Sequence, residues 1–203
     1  MKILLLSREQ DYLKIYSDLL LFGRVDYHSG KLTKDICAYD LIISYCYGPI
    51  LKNEELSQLK GPVLNLHPSY LPYGRGIYPI LWGVANNHPL GSTIHLIENS
   101  EIDNGSILLQ EELKIRDNMT LRQIHLVLTT LSRNLLNKLL IAGFPKNYFP
   151  NKLKPDLNIS NKMYRNKLQG EIFFNLLPKK WDTSAKEVRE IYKANEKTLL
   201  GTT

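Results

Sequence analysis

Apolar positions in the first half of the chain come in short runs separated by amphipathic stretches, the pattern of strands alternating with helices. Lys2 to Leu6 is an apolar run that turns polar at Ser7-Arg8-Glu9, which predicts a first buried strand. Gln10 to Leu21 carries Tyr12, Leu13, Tyr16, Leu19 and Leu20 at close to helical spacing. Val25-Asp26-Tyr27 reads as a short strand and Asp40 to Ser44 as a clearer one. Lys52 to Leu59 reads as a short polar-faced helix, and Pro62 to Leu66 as another buried-type strand. Strands separated by helices predict a parallel, doubly wound sheet, which holds its ligands beyond the carboxyl ends of the strands.

The pattern then changes. Ser92 to Ile97 and Ser106 to Leu113 are strand-like and flank a turn-rich stretch, Glu98 to Gly105. Thr120-Leu121-Arg122-Gln123 has capping-box spacing and opens a long helix with Leu121, Ile124, Leu128, Leu131, Leu135 and Leu139 on one face. Pro145, Pro150 and Pro155 punctuate a connecting loop. A short strand is expected around Glu171 to Phe174, then a helix opened by the capping spacing of Ser184 and Glu187. The expected organisation is an α/β core over residues 1–145 and a small α/β tail over 146–203, packed on the core.

Composition supports a folded protein: 43% of the 203 residues are hydrophobic and 23% charged. No apolar run approaches the roughly 18 residues of a membrane span, and the N-terminal run is too short for a signal peptide. The two cysteines, Cys37 and Cys46, lack metal-type spacing. The expectation is a soluble cytoplasmic protein with neither a structural metal nor a membrane partner. A net charge of +6 favours anionic partners, but the charge is diffuse, with its densest cluster at Lys179-Lys180, and is weak ground for nucleic acid.

Two nucleotide motifs are missing. The turn Ser7-Arg8-Glu9-Gln10 after the first strand has no glycine, and no phosphate-binding GxxxxGK[ST] occurs. The informative segment is Asn65-Leu66-His67-Pro68-Ser69, followed by Tyr70-Leu71-Pro72-Tyr73-Gly74-Arg75-Gly76. Strand alternation sends Asn65 and His67 to one side, and Pro68 and Pro72 stiffen the loop beyond them. An amide donor beside an imidazole suits a site where negative charge develops on an oxygen and a proton moves near neutral pH. The second segment is Glu101-Ile102-Asp103-Asn104-Gly105, whose carboxylate suits orienting His67 and raising its pKa. Plainer roles stand beside these: a structural or solvated His67, an Asn65 serving backbone groups, and simple turn chemistry at Asp103-Asn104-Gly105. His28, His88 and His125 read as surface or structural. His95, inside a strand, either faces the cleft or packs, with packing favoured. Trp82 and Trp181 read as core or rim packing.

Together, Asn65-Leu66-His67-Pro68-Ser69-Tyr70-Leu71-Pro72, Gly91-Ser92-Thr93-Ile94-His95 and Ile102-Asp103-Asn104-Gly105-Ser106-Ile107-Leu108-Leu109-Gln110 resemble the folate-dependent formyltransferases. Leu71 to Gly76, with Pro79 and Trp82, is similar to the sugar-nucleotide branch. Asp40 to Leu51 and the tail resemble small formyltransferases of pseudaminic acid synthesis and the formylation domain of linear gramicidin synthetase. Asn104 departs from the usual Thr, and the stretch before Asn65 is shorter than in the purine enzymes.

The resemblance implies a Rossmann-like formyltransferase sheet and transfer of a formyl group from N10-formyltetrahydrofolate to a primary amine of a small nucleotide sugar. It implies Asn65, His67 and Asp103 as catalytic residues. The donor would lie against Tyr45, Tyr47, Gly48, Ile50, Leu51, Glu98 and Ile102, and the acceptor against Ser69, Tyr70 and Arg75. Arg75 suits a phosphate or carboxylate, or else braces its loop through an ion pair. Alternative activities are transfer to a tRNA-bound or carrier-bound amino acid or to glycinamide ribonucleotide, and hydrolysis of the donor. The apolar pairs Phe173-Phe174 and Leu176-Leu177 either seal a homodimer or cover the tail's own core.

Overall fold

The computed structural model describes residues 1–32, 37–156 and 167–200. Its strands are β1 (Lys2–Ser7), β2 (Arg24–His28), β3 (Leu41–Tyr45), β4 (Val63–His67), β5 (Leu90–Leu96) and β6 (Ile107–Leu113). Its helices are α1 (Leu13–Leu19), α2 (Asn53–Leu56), α3 (Pro79–Ala85), α4 (Leu121–Ile141), α5 (Lys167–Leu176) and α6 (Ala185–Leu200).

The strands form one sheet in the order β2-β1-β3-β4-β5-β6. β1 pairs in parallel with β2 and with β3, and β3 pairs in parallel with β4. The expected parallel sheet therefore holds for these strands, while β5 runs antiparallel to β4. The strand order reverses between β1 and β3, as in flavodoxin-like sheets. β1 and β3 are buried along almost their whole length, as strands covered on both faces must be, which is why they read as continuous apolar runs.

Contacts divide the described chain into two units. One comprises Met1–His67, Thr93–Gln110 and Ser132–Pro155, and the other Pro68–Ser92, Glu111–Leu131 and Asp156–Thr203, so the division interleaves along the sequence and does not follow a single cut after residue 145. In the first unit Ile3, Leu5, Ile43, Leu64, Leu66 and Ile94 share one core cluster with Ile15, Leu135 and Leu139. The alternate residues Leu4, Leu6, Ile42 and Val63 form a second cluster with Leu51. Alternation along β1, β3 and β4 thus places the two clusters on opposite faces of the sheet.

The core of the second unit gathers Ile80, Leu81 and Trp82 from α3, Leu121, Ile124 and Leu128 from α4, Phe173 and Leu177 at α5, and Val188 and Tyr192 from α6. Trp82 lies 5.3 Å from Phe173, centroid to centroid, and 6.1 Å from Tyr192. Both expected capping boxes form. The Gln123 N–H donates to Thr120 Oγ1 at 3.2 Å and the Thr120 N–H to Gln123 Oε1 at 3.0 Å. Ser184 and Glu187 exchange the same pair at 3.3 and 3.0 Å.

Two elements differ from the sequence expectation. The strand expected at Glu171 to Phe174 is part of helix α5. Gly170, Phe173 and Leu177 are buried while Ile172 and Leu176 are exposed, a helical spacing that the paired apolar residues concealed. Phe173 and Leu177 cover this unit's own core. The other element is α3, which starts at Pro79 after a left-handed Tyr78 (φ 60°); proline at the first helical position is compatible with a helix start. No helix among the described residues is long and apolar enough to cross a membrane.

Candidate active site

The site is built at the carboxyl end of β4, where the first unit's sheet stops being hydrophobic. Period-two alternation sets Val63, Asn65 and His67 on one face. The antiparallel register then places His95 of β5 opposite Asn65, and Thr93 opposite His67. Thr93 Oγ1 accepts a hydrogen bond from Gln110 Nε2 at 2.9 Å, which ties β5 to the Gln that closes the motif after Gly105.

Asp103 returns to this face from the loop between β5 and β6. Its backbone is left-handed at φ 48°, a region that Asp and Asn enter more readily than most residues. Gly105 makes the return possible. A Cβ there would stand 1.7 Å from the carbonyl oxygen of Leu96, so only glycine lets the loop press against the end of β5.

Asn65 Nδ2 donates to Asp103 Oδ1 at 3.0 Å and also lies 3.0 Å from His95 Nε2. His95 Nδ1 sits 2.9 Å from the carbonyl oxygen of Leu96. A carbonyl only accepts, so the Nδ1 proton is on that side, and in the neutral ring Nε2 is left to accept from Asn65. Both amide hydrogens of Asn65 are then engaged. Asp103 Oδ1 lies 3.6 Å from His67 Nδ1 and 3.5 Å from His95 Nε2, both beyond short hydrogen-bond distance, and in the neutral tautomer above His95 Nε2 has no proton to offer it. The imidazoles of His67 and His95 are 5% and 2% exposed by residue, so this charge acts where water screens it little.

The same face of the sheet carries a cavity of about 230 Å³, lined by Leu56, Leu59, Val63, Ile97, Phe149 and the charged Glu98 and Lys152, among others. Of the residues expected to touch a donor, Leu51 and Tyr47 belong to the cluster on this face. The Tyr47 hydroxyl donates to the carbonyl of Gly30, and burial, with Glu55 nearby, pushes its pKa up to about 12. Tyr45 closes β3 with its side chain in the opposite cluster, leaving only its backbone to this side. Ile50 is exposed and Gly48 faces open space. Ile102 directly precedes Asp103 on the loop and is half-buried.

Ser69, Tyr70 and Arg75 belong to the second unit. Ser69 is buried and its hydroxyl donates to the carbonyl of Tyr73 at 2.8 Å. Tyr70 is half-buried, and Arg75 is buried between Gly74 and Gly76, both at positive φ. His95, for which the sequence favoured packing, is brought against Asn65 and Asp103. Its available signal was the alternation of Thr93 and His95 along one strand face.

The Formyl transferase family model matches residues 28–140, more than half of the 203-residue chain and the stretch that contains this arrangement. The chain belongs to the formyl transferase family. This formyl transferase is similar to the formyltransferase PseJ from Anoxybacillus kamchatkensis, solved with UDP-4,6-dideoxy-4-formamido-L-AltNAc and tetrahydrofolate. That likeness has a TM-score of 0.80 at 30% identity, over 93% of this chain and 97% of that one. A 4-N formyltransferase from Francisella tularensis shares the fold with a TM-score of 0.73 at 21% identity, over 93% of this chain and 85% of the other. Methionyl-tRNA formyltransferase of Clostridium tetani is 33% identical over 137 residues, 68% of this chain and 44% of that protein. The chain thus spans less than half the length of that curated relative.

Proposed function

We propose that this formyl transferase moves a formyl group from N10-formyltetrahydrofolate to the primary amine of a nucleotide-linked amino-dideoxysugar, with UDP-4-amino-4,6-dideoxy-AltNAc as the first candidate. The observation that carries the chemistry is the carboxylate oxygen of Asp103, which accepts from Asn65 and faces His67 Nδ1 at 3.6 Å. The sugar assignment draws on the likeness to PseJ, which runs through nearly the whole of both chains.

The cavity fits the donor. Its volume suits a flat ring, and its wall residue Val63 shares a strand face with Asn65 and His67. Leu59, Val63 and Ile97 of its wall would bury the ring. When bound, the donor supplies a formyl carbonyl open to attack by an amine.

The chain's residues then handle charge and protons. Protonated His67 faces Asp103, and that pairing favours the charged imidazolium. Drawing Asp103 toward His67 releases one Asn65 hydrogen, which is free to bind the formyl oxygen as it becomes negative. The other hydrogen stays on His95 Nε2 and keeps the amide aimed. His67 and Asp103 together pass the proton that the amine loses to the departing nitrogen. Of the expected acceptor residues, Arg75 carries the charge to meet a phosphate.

Mass spectrometry of the protein with N10-formyltetrahydrofolate and a panel of amines tests this reading. The panel holds UDP- and dTDP-linked 3- and 4-amino-dideoxysugars, glycinamide ribonucleotide and methionyl-tRNA. A gain of one formyl group on a nucleotide sugar is the expected result. Formylation of methionyl-tRNA alone, or formate release without any acceptor, overturns it.

A further inference from the structure

Glu98 follows β5 directly, and resemblance places it among donor contacts. Its carboxylate is already engaged by protein donors. Oε2 accepts from the Ser106 N–H at 2.9 Å, from the Ser106 hydroxyl at 2.7 Å and from Lys154 Nζ at 2.9 Å, while Oε1 accepts from Lys152 Nζ at 3.3 Å. Four protein donors thus converge on this one carboxylate, three of them on Oε2. Burial works to raise its pKa, but hydrogen bonds from Lys154, Ser106 and Lys152 outweigh it and hold the carboxyl at about 2.

These donors come from two places. Ser106 ends the loop that carries Asp103 and Gly105. Lys152 and Lys154 flank Leu153, which exchanges backbone hydrogen bonds with Ile107 at 3.0 and 2.8 Å and so hangs this segment on the edge strand β6. The same segment contributes Phe149 and Lys152 to the wall of the cavity, opposite Val63 and Ile97 of the sheet. The Phe149 ring packs on Phe144 with centroids 4.9 Å apart, and Lys152 Nζ lies 5.3 Å from the Phe149 centroid.

We propose that Glu98 is a positioning residue of the donor site: it pins the Asp103 loop through Ser106 and the segment 149–154 through its two lysines. Either lysine pair alone, exposed to water, would count for little. Their convergence on one carboxylate that also closes the loop is what couples the cavity wall to the catalytic acid. The inference rests on the donor assignment proposed above.

The test uses the full chain and three variants: Glu98→Gln, Glu98→Ala, and Lys152→Met combined with Lys154→Met. Affinity for 5-formyltetrahydrofolate, a non-reacting form of the donor, is measured by calorimetry. Donor KM and kcat are measured with UDP-4-amino-4,6-dideoxy-AltNAc. Glu98→Gln keeps an acceptor for Ser106 but releases both lysines, so it should behave like the lysine double variant. Both should bind the analogue on the order of tenfold more weakly, with donor KM raised and kcat nearly unchanged. Glu98→Ala should also lose kcat, because the Asp103 loop is freed. The lysines are partly exposed, so the double variant keeps its thermal midpoint and carries the test even if Glu98→Ala fails to fold. Wild-type affinity in both Glu98→Gln and the lysine double variant overturns the proposal, as does a fall in kcat at unchanged donor KM. Failure of the wild type to bind the analogue brings down the donor assignment first, and this inference with it.

Discussion

The amide of Asn65 donates to Asp103 Oδ1 at 3.0 Å, across 38 residues of sequence, and this bond closes the site before any substrate arrives. It also sets what each residue can do. In the proposed mechanism, movement of Asp103 toward His67 frees this Asn65 hydrogen for the formyl oxygen. Removing the amide in Asn65→Ala should therefore leave the fold intact and lower the transfer rate by roughly 100- to 1,000-fold, the usual cost of losing an oxyanion donor. Steady-state formylation and a urea denaturation curve on the same preparation check both halves of this expectation.

His95 holds Asn65 from the other side, at 3.0 Å, and is itself fixed by the Leu96 carbonyl. A phenyl ring fills similar space without an acceptor. His95→Phe should lower kcat by about 10- to 100-fold through misplacement of the amide, with little change in donor affinity. Donor affinity comes from titration with 5-formyltetrahydrofolate and kcat from initial rates.

Gly105 has no room for a methyl group, since the Leu96 carbonyl oxygen occupies that place. Gly105→Ala must push the Asp103 loop off the end of β5. The expected loss is about 1–3 kcal/mol of stability together with most of the activity. Chemical denaturation measures the first, and a native stability in this variant would contradict the loop geometry.

Acid should weaken the fold for a specific reason. Lys179, with Ser184, holds the Glu187 carboxyl down at about 2, and the Glu98 carboxyl sits at about 2 as well. Groups with a depressed folded pKa add stability above the unfolded-state value and lose it as pH falls toward the folded one. Urea midpoints should therefore hold above about pH 5 and drop between about pH 4.5 and 2. Glu187→Gln should flatten part of that drop. Its Lys179 partner lies on the surface, so added salt should also shrink the wild-type effect.

The strands β1 to β6 were legible because buried strands and half-buried strands each leave a run or an alternation. Asn65 and His67 were legible for the same reason, being two apart at a strand's end. The pairing of Asn65 with His95, 30 residues away, was not, because register between β4 and β5 is a tertiary outcome with no local mark. The return of Asp103 over β4 depends on Gly105 meeting Leu96, again a contact that local sequence does not announce. Helix α5 was misread from the Phe173-Phe174 pair, since a short apolar run fits a buried strand as well as a helix face. Helix α3 was not predicted: Pro68 and Pro72 mark a loop just before it, and its short apolar run after Pro79 carries no clear helical period.

The most direct test of the central claim compares the wild type with Asp103→Asn. Asn tolerates the left-handed backbone at this position and keeps the side chain's shape, so the change removes the charge and little else. Both proteins are mixed with N10-formyltetrahydrofolate and UDP-4-amino-4,6-dideoxy-AltNAc, and the formylated product is followed by mass. The account predicts steady formylation by the wild type and a rate lower by at least about 100-fold in the folded variant. Equal rates in the two proteins would contradict it.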